Sequence, residues 1–211
     1  MAATRALRSD ARRNREALVA AARELFAEAG TDVSVEAVTS RAGLGMGTLY
    51  RHFPTKDELV DAVLEDAFSD VVQVAERAAA EEDAWAGFRM FLEETLARHA
   101  ANRGLKDLLA AHRRGRERAQ AIRERLQPLL ARLVEHAQEQ GALRPDFALE
   151  DLRVLFWSGA RVVEITSAVA PDYWRRHLGF LLDGLQTGAA TPLPAPPLTP
   201  QQLAAAAERA A

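Results

Sequence analysis

The sequence predicts an all-α fold, with a three-helix N-terminal head and a larger C-terminal helical body. Two observations predict it. Apolar residues recur three and four positions apart along most of the 211 residues, and no stretch alternates as a β-strand does. Near the N-terminus, a glycine separates two short helical patterns, which indicates a compact helical head ahead of longer helices.

Residues 34–53, SVEAVTSRAGLGMGTLYRHF, form the centre of the head. Ser34 is a favourable N-cap for a short helix, and Gly43 supplies the positive φ angle with which many helices end. The residues expected to pack inward are apolar and follow helical spacing: Val35, Val38, Ala42, Leu44, Leu49 and Phe53. Two helices joined in this way form a helix-turn-helix, whose second helix fits the major groove of DNA.

The second short helix leaves a small outward face. Its members are Met46, Gly47, Thr48, Tyr50, Arg51 and His52. This face can exchange hydrogen bonds and stack, while Met46 offers only apolar contact, for example to a thymine methyl group. Such residues are usually ordinary surface residues, but the glycine-bearing turn beside them favours DNA contact.

A helix is expected before this motif, from Asp10 to Ala29, after a frayed start. Its buried stripe is predicted to contain Leu18, Ala22, Leu25, Phe26 and Ala29. The N-terminal region is basic, with six arginines at positions 5, 8, 12, 13, 15 and 23 against two acidic residues. A solvated helix face explains most charge runs, but the neighbouring motif favours phosphate contact.

The body is predicted from the later periodicity. After Pro54, Thr55 and Glu58 match a capping box. Helices are expected at 56–79, 84–101 and 105–112, then from the charged stretch before Ile122 through Pro128 to Gly141, at 148–170, and from Pro171 to Gly188. The proline-rich segment 191–200 is expected to be extended, and the alanine-rich end weakly helical. Three parts follow: a DNA-binding domain at 1–55, a ligand-binding and dimerisation domain at 56–190, and a mobile tail at 191–211.

The run from Ala22 to Leu59 resembles the DNA-binding domain of TetR-type (TetR/AcrR) transcriptional regulators. The resemblance rests on the pattern G-x-G-x-L-Y-x-H-F from Gly45 to Phe53, with Lys56 following, and covers the first quarter to third of the chain. It implies contact of Thr48 and Tyr50 with phosphate or base edges, and of His52 and Lys56 with phosphate. It also implies that Ser34 and Arg41 flank the groove. Members of the family vary their sequence choice at Met46, Gly47 and Arg51.

The resemblance also implies a small-molecule pocket between helices of the body. The candidate ligand-binding residues are Trp85, Phe88, Phe91, His112, Phe156, Trp157, Arg161 and Phe180. Plain core is the alternative for each aromatic residue. The apolar surplus around 152–166 and 174–185 predicts either a four-helix interface between two copies or two helices central in the monomer. A two-fold operator favours the homodimer.

Several classes of function are disfavoured. The chain has no cysteine, and its five histidines show no spacing typical of metal ligands, so no metal or cofactor is expected. No apolar run reaches membrane-spanning length, and no signal core begins the chain, so a cytoplasmic protein without membrane contact is expected. The net charge of −3 means that affinity for nucleic acid must come from a local patch.

The sequence therefore predicts a ligand-responsive DNA-binding repressor, in which a dimer on a palindromic double-stranded operator is released by a small-molecule effector. Repression, rather than activation, rests on the habit of the family alone. The alternative is a helical small-molecule-binding protein, or an enzyme, without a DNA-binding role. No nucleophile–base pair, paired carboxylates or phosphate loop supports an enzyme, and the set Thr48, Tyr50, His52 and Lys56 argues against loss of DNA binding.

Overall fold

A computed structural model gives the fold of residues 2–29, 33–101, 113–189 and 191–210. Helices dominate these residues, which confirms the all-α prediction, and their only strand-like pairing is one antiparallel bridge between Leu143 and Gln186. Their α-helices are α1 (Ala2–Ala29), α2 (Val35–Ala42), α3 (Met46–His52), α4 (Lys56–Ala79), α5 (Ala84–Ala101), α6 (Arg113–Glu139), α7 (Leu149–Thr166), α8 (Tyr173–Leu185) and α9 (Pro200–Ala210). None of the helices in these ranges is long and apolar enough to span a membrane.

The chain forms two compact units. The first contains Met1–Asp70 and Asn102–Gln120, and the second contains Val71–Ala101 and Ala121–Ala211. The division therefore falls within α4 and within α6. The functional domain boundaries at 55/56 and 190/191 stay a prediction.

The core of the first unit is built by α1 to α4. Helix α1 packs against α2 and α3, and the fully buried side chains at its centre are Leu18, Phe26, Leu49, Leu59 and Leu64. The predicted stripe on α1 is confirmed at Leu18, Ala22 and Phe26, while Leu25 is half-buried and Ala29 is exposed. Burial of this apolar face, rather than helix propensity, holds the two short helices in place.

The core of the second unit joins α5, α7 and α8. Helix α7 packs against both α5 and α8, with Phe88, Leu92, Leu96, Trp174 and Leu178 almost completely buried. The two helices α5 and α7 are in tight contact at Gly159, where an added Cβ would lie 2.8 Å from a methyl carbon of Leu96. The glycine therefore sets the distance between these helices.

Helix bounds differ from the prediction at several ends. Helices α4 and α5 have the predicted bounds, whereas α1 begins at Ala2 because residues 2–9 contain no helix breaker. Helix α7 ends at Thr166, four residues early, and residues 167–169 form a turn. Pro171 disfavours the α conformation only at the residue directly before it. The alanine-rich end forms α9. The helix predicted at 105–112 lies outside the described residues.

Candidate nucleic-acid interface

Helix α2 begins and ends as its sequence predicts. The Ser34 hydroxyl accepts a hydrogen bond from the Ala37 amide at 3.2 Å, which confirms Ser34 as the N-cap. Gly43 adopts φ +66° and its amide donates to the Ser40 carbonyl oxygen at 3.2 Å. The Leu44 amide then donates to the Thr39 carbonyl oxygen at 2.9 Å. These bonds form the sharp turn that leads into α3.

Helix α3 is anchored from behind by its apolar residues. Gly45 is the N-cap, and its carbonyl oxygen accepts from the Thr48 amide at 2.9 Å. Leu49 and Phe53 are 0% and 2% exposed, which confirms them as core residues. The guanidinium carbon of Arg15 lies 5.3 Å from the centre of the Phe53 ring, so α1 also contacts the end of α3. This packing fixes which face of α3 points outward.

The outward face carries the predicted DNA-contacting residues. Tyr50 is 50% exposed, Gly47 and Arg51 are exposed, and Thr48 and His52 are partly buried. The sixth member, Met46, is partly buried, and its sulfur lies 3.5 Å from the Thr39 hydroxyl. The structure thus brings all six outward residues onto one short helix, with chemistry suited to base edges and phosphates.

Arg41 of α2 is engaged within the protein. Its guanidinium donates to Glu24 at 3.0 Å and to Glu28 at 3.3 Å, both on α1. Hydrogen bonds to Glu28 and then Glu24 raise the pKa of Arg41 above its ordinary value. The sequence did not reveal these partners, because they lie 17 and 13 residues away. To contact DNA, the Arg41 guanidinium would have to share the hydrogen bonds that it donates to Glu24 and Glu28.

The basic residues of α1 divide into two groups. Arg12 and Arg13 are exposed, and among the described residues their partners lie on the same helix: Glu16 for Arg12, and Asp10 and Ser9 for Arg13. Arg23 instead bonds to Asp66 at 3.0 Å and Asp70 at 2.8 Å, and therefore ties α1 to α4. The side chains of Arg5 and Arg8 lie outside the described residues. The predicted phosphate-contacting arm therefore contains fewer arginines than the sequence suggested.

Lys56 stands in the first turn of α4. The side chain is exposed, and the preceding Thr55 hydroxyl accepts from the Glu58 amide at 3.2 Å. This bond is half of the predicted capping box, and it fixes the start of α4 just after α3. Lys56 therefore lies near the end of α3 in the chain, on a rigid element.

The candidate ligand-binding residues do not share one environment. Phe88 and Phe91 are 0% and 6% exposed and belong to the core, and partly buried Trp85 stacks on Phe88 with ring centres 5.6 Å apart. Phe156 is partly buried and lies edge-on to His99 at 5.7 Å. Trp157 is also partly buried. His112 lies outside the described residues.

The last two candidates lie on the surface. Phe180 is 58% exposed beneath the guanidinium of Arg176, and Arg161 pairs with Glu164 at 2.9 Å.

One polar group in the second unit was missed by the sequence analysis. Thr95 is 9% exposed, and its hydroxyl has no hydrogen-bond partner among the residues that the structure describes. It lies one turn before His99 on α5. A buried hydroxyl without a hydrogen-bond partner lowers the stability of the fold. A bound molecule that supplies a polar group at this position would therefore be stabilised by a hydrogen bond. No signal in the sequence distinguished this threonine from the apolar residues around it.

Comparison with known proteins gives matches to both units. Residues 18–63 match the model for bacterial regulatory proteins of the tetR family, and residues 82–187 match the C-terminal domain of SbtR-like transcriptional regulators. A crystal structure of a TetR transcription regulatory protein from Mycobacterium vanbaalenii is 31% identical, with a TM-score of 0.69, over 85% of this chain and 99% of that one. The TetR regulator SCO0520 from Streptomyces coelicolor is 27% identical with a TM-score of 0.63, over 82% of this chain and 98% of that one.

A curated relative matches over part of the chain. An HTH-type transcriptional regulator from Staphylococcus aureus (strain USA300) is 40% identical over 60 residues, 28% of this chain. The matched part spans about a third, 32%, of that relative's length.

The fold and the outward face of α3 define a helix-turn-helix transcriptional regulator. Residues 82–187, half of the chain, match a C-terminal domain of transcriptional regulators, and the solved TetR protein from Mycobacterium vanbaalenii, 31% identical, aligns over 99% of its own length. The chain therefore belongs to the tetR family of bacterial regulatory proteins. The resemblance stated from the sequence is confirmed.

Proposed function

We propose that this regulator is a repressor, whose homodimer binds a palindromic double-stranded operator through α3 and is released by a small-molecule inducer. The observation that carries the proposal is the half-exposed ring of Tyr50 on α3, with Leu49 buried beside it. Half of the Tyr50 surface stays in solvent, where it is accessible to a partner. At this position it can contact base edges or sugar-phosphate in the major groove.

The proposal assigns DNA contact to the residues predicted from the sequence. Thr48, His52 and Lys56 surround Tyr50 in the chain and supply polar and positively charged groups for phosphate. Ser34 caps α2 and Arg41 lies in its last turn, and the proposal assigns both to the edge of the same surface. Because phosphate contact releases counterions, affinity for DNA should fall steeply as salt rises.

Gel retardation with DNA from immediately upstream of the gene tests this assignment. Tyr50→Ala should abolish retardation, while light scattering shows the same oligomeric state as the unchanged protein. Tyr50→Phe, the matched control, keeps the ring and should retain part of the affinity. If Tyr50→Ala binds this DNA as tightly as the unchanged protein, the assignment of α3 as the contact surface is wrong.

The homodimer is supported by apolar side chains left in solvent on α7, on α8 and in the turn between them. They are Val154, Ile165, Val169 and Phe180, with 39%, 62%, 86% and 58% exposure. Two copies that cover these faces would form the predicted four-helix interface, and two heads would then meet half-sites about 34–36 Å apart. Phe180 fits this interface better than an enclosed pocket, because its ring is exposed.

Size-exclusion chromatography with light scattering tests the dimer. Ile165→Glu and Phe180→Glu should each give a folded monomer that no longer binds operator at nanomolar concentration. Gln127→Glu, at an exposed position on α6, is the control for adding a negative charge. A monomeric unchanged protein, or charged variants that stay dimeric, would contradict the interface.

The inducer site is proposed beside α5, where Phe156 faces His99 and the Thr95 hydroxyl lacks a partner. An aromatic face with one buried hydroxyl suits a small apolar ligand that carries one hydrogen-bonding group. The fold is shared with SmeT, of which a complex with triclosan is known; at 24% identity that likeness concerns the fold alone. The inducer releases DNA only if it binds the non-binding state more tightly.

A screen for compounds that release the protein from its operator tests this site. Once a releasing compound is found, Phe156→Ala and Thr95→Val should weaken release without changing affinity for DNA. Trp85→Ala, at the other partly buried aromatic pair of α5, is the comparison. If the compound no longer releases the Trp85→Ala variant from DNA but still releases Phe156→Ala, the inducer does not bind beside Phe156.

A further inference from the structure

Helix α3 directs two residues straight away from the core. Leu49, which is 0% exposed, marks the inward direction. Because an α-helix turns about 100° per residue, positions two before and two after Leu49 point about 160–200° away from it. These positions are Gly47 and Arg51, and both are exposed. They form the centre of the outward face, which Tyr50 and Thr48 flank.

Arg51 differs from the other arginines of the first unit whose side chains are described. Each of those has an intramolecular partner: Arg12 with Glu16, Arg13 with Asp10, Arg15 with Phe53, Arg23 with Asp66 and Asp70, and Arg41 with Glu24 and Glu28. Arg51 has no hydrogen bond, ion pair or ring contact among the described residues. Its five N–H donors are therefore all available to another molecule.

Gly47 has no role inside the protein that requires a glycine. Its φ is not among the positive values, which the described residues show only at Gly43 and Gly141. A Cβ built on Gly47 meets no atom within 4 Å, so close packing does not require its absence. Glycine in a helix is less stable than alanine. The open space above Gly47 is therefore best explained by a molecule that is not part of this chain.

The two residues act together because they lie four positions apart. Residues i and i+4 are neighbours on a helix surface, and helical side chains lean toward the N-terminal end. The Arg51 side chain consequently extends across the bare backbone at Gly47, toward the end of α3 that contacts bases in a helix-turn-helix. A larger side chain at position 47 would narrow that space.

We propose that Arg51 is a specificity-determining residue, which recognises a guanine in each operator half-site across the space left by Gly47. The inference rests on the proposed DNA contact of α3. A guanidinium donates two parallel hydrogen bonds to guanine O6 and N7, and this is the commonest specific contact of arginine in the major groove. Each half-site should therefore contain one G·C pair whose replacement weakens binding roughly 5- to 150-fold.

Selection of bound duplexes from random-sequence DNA, followed by sequencing, tests the inference without a known operator. The unchanged protein should select a palindrome with one strongly preferred G·C pair in each half. Arg51→Ala should bind DNA but lose the preference at that pair alone. Arg51→Lys should also lose it, although the charge and the salt dependence are kept, because lysine has no planar fork.

Gly47→Ala adds a readout that a structural role would not give. The variant should melt at the same or a higher temperature, yet bind the selected duplex more weakly. Uniform weakening by Arg51→Ala across all sequences would indicate a phosphate contact and overturn the inference, as would an unchanged preference. If the unchanged protein selects no motif, the proposed DNA contact itself fails, and the inference fails with it.

Discussion

The hydroxyl of Thr39 lies 3.5 Å from the sulfur of Met46, so a buried residue of α2 touches the first residue of α3. The same hydroxyl is 3.0 Å from the Glu36 carbonyl oxygen, which accepts its hydrogen. Thr39 is 5% exposed. The contact therefore joins the two helices of the motif directly.

Thr39→Val tests this contact, because valine keeps the shape and removes the hydroxyl. We expect a loss of about 1 kcal/mol in the free energy of unfolding, measured by urea denaturation. Operator affinity should fall several-fold, since Met46 loses its fixed position. Ser40→Ala, at the exposed neighbouring position, is the control and should change neither quantity. Equal effects of both substitutions would contradict a role for the Thr39–Met46 contact.

Two glycines of the motif allow a matched comparison. Gly43 has φ +66° and Gly47 does not, while an added Cβ meets nothing within 4 Å at either position. Gly43→Ala should therefore destabilise the protein by about 1–2 kcal/mol, the cost of the left-handed conformation for alanine. Gly47→Ala should be neutral or stabilising in the same thermal unfolding experiment. Similar losses in both variants would contradict the backbone explanation.

Two glycines of the second unit differ in what surrounds them. A Cβ on Gly87 would lie 2.3 Å from the Ala78 carbonyl oxygen, whereas a Cβ on Gly159 would meet the methyl carbons of Leu96 at 2.8 and 2.9 Å. A side chain can shift more readily than a backbone. Gly87→Ala should therefore destabilise the protein by about 2 kcal/mol or more, and Gly159→Ala by less. Chemical denaturation measures the loss of unfolding free energy in each variant. A larger loss in Gly159→Ala than in Gly87→Ala would contradict this account of the packing.

The stability of the second unit should depend on pH through Glu94. Burial raises its pKa, but hydrogen bonds from Arg98 at 2.8 Å and Arg77 at 2.7 Å lower it below the ordinary value. A lowered pKa in the folded state gives stability above the unfolded pKa, which is lost as pH falls through the folded value. The difference in unfolding free energy between the unchanged protein and Glu94→Gln should be largest near pH 7. It should shrink below about pH 4.5, the ordinary region for glutamate.

The control for Glu94 is Glu93→Gln, at the exposed neighbouring position. Its difference from the unchanged protein should vary less with pH. A Glu94→Gln difference that is constant from pH 7 to pH 3 would contradict the ion-pair assignment.

Arg144 ties the C-terminal segment to the second unit. Its nearly buried guanidinium donates to both oxygens of Asp146 at 2.5 and 2.9 Å, and to the Thr191 carbonyl oxygen at 2.6 Å. Hydrogen bonds from Arg144 lower the pKa of Asp146. Arg144→Met should destabilise the unit and speed amide hydrogen exchange around 191–199, while Arg144→Lys should be intermediate. Unchanged exchange in Arg144→Met would show that the segment is held by other contacts.

The sequence predicted those features that depend on local chemistry. Ser34 capping α2, the turn at Gly43, and inward Leu49 and Phe53 follow from residue type and helical spacing. The partners of Arg41 and Arg23 did not, because pairing between side chains 13 to 47 residues apart depends on how helices pack. Periodicity likewise predicts that Phe88 and Phe156 face inward, but it does not separate tight core from a ligand site. The unpaired hydroxyl of Thr95 became evident only once its neighbours were placed.

Fluorine NMR tests most directly whether the outward face of α3 binds DNA. The chain has two tyrosines, Tyr50 and Tyr173, so 3-fluorotyrosine labelling gives two resonances, which Tyr50→Phe assigns. Both rings are about half exposed in the free protein, at 50% and 46%. On addition of the selected duplex, the Tyr50 resonance should shift and saturate at one duplex per dimer, while the Tyr173 resonance stays in place. A bound complex in which the Tyr50 resonance does not move would contradict the account.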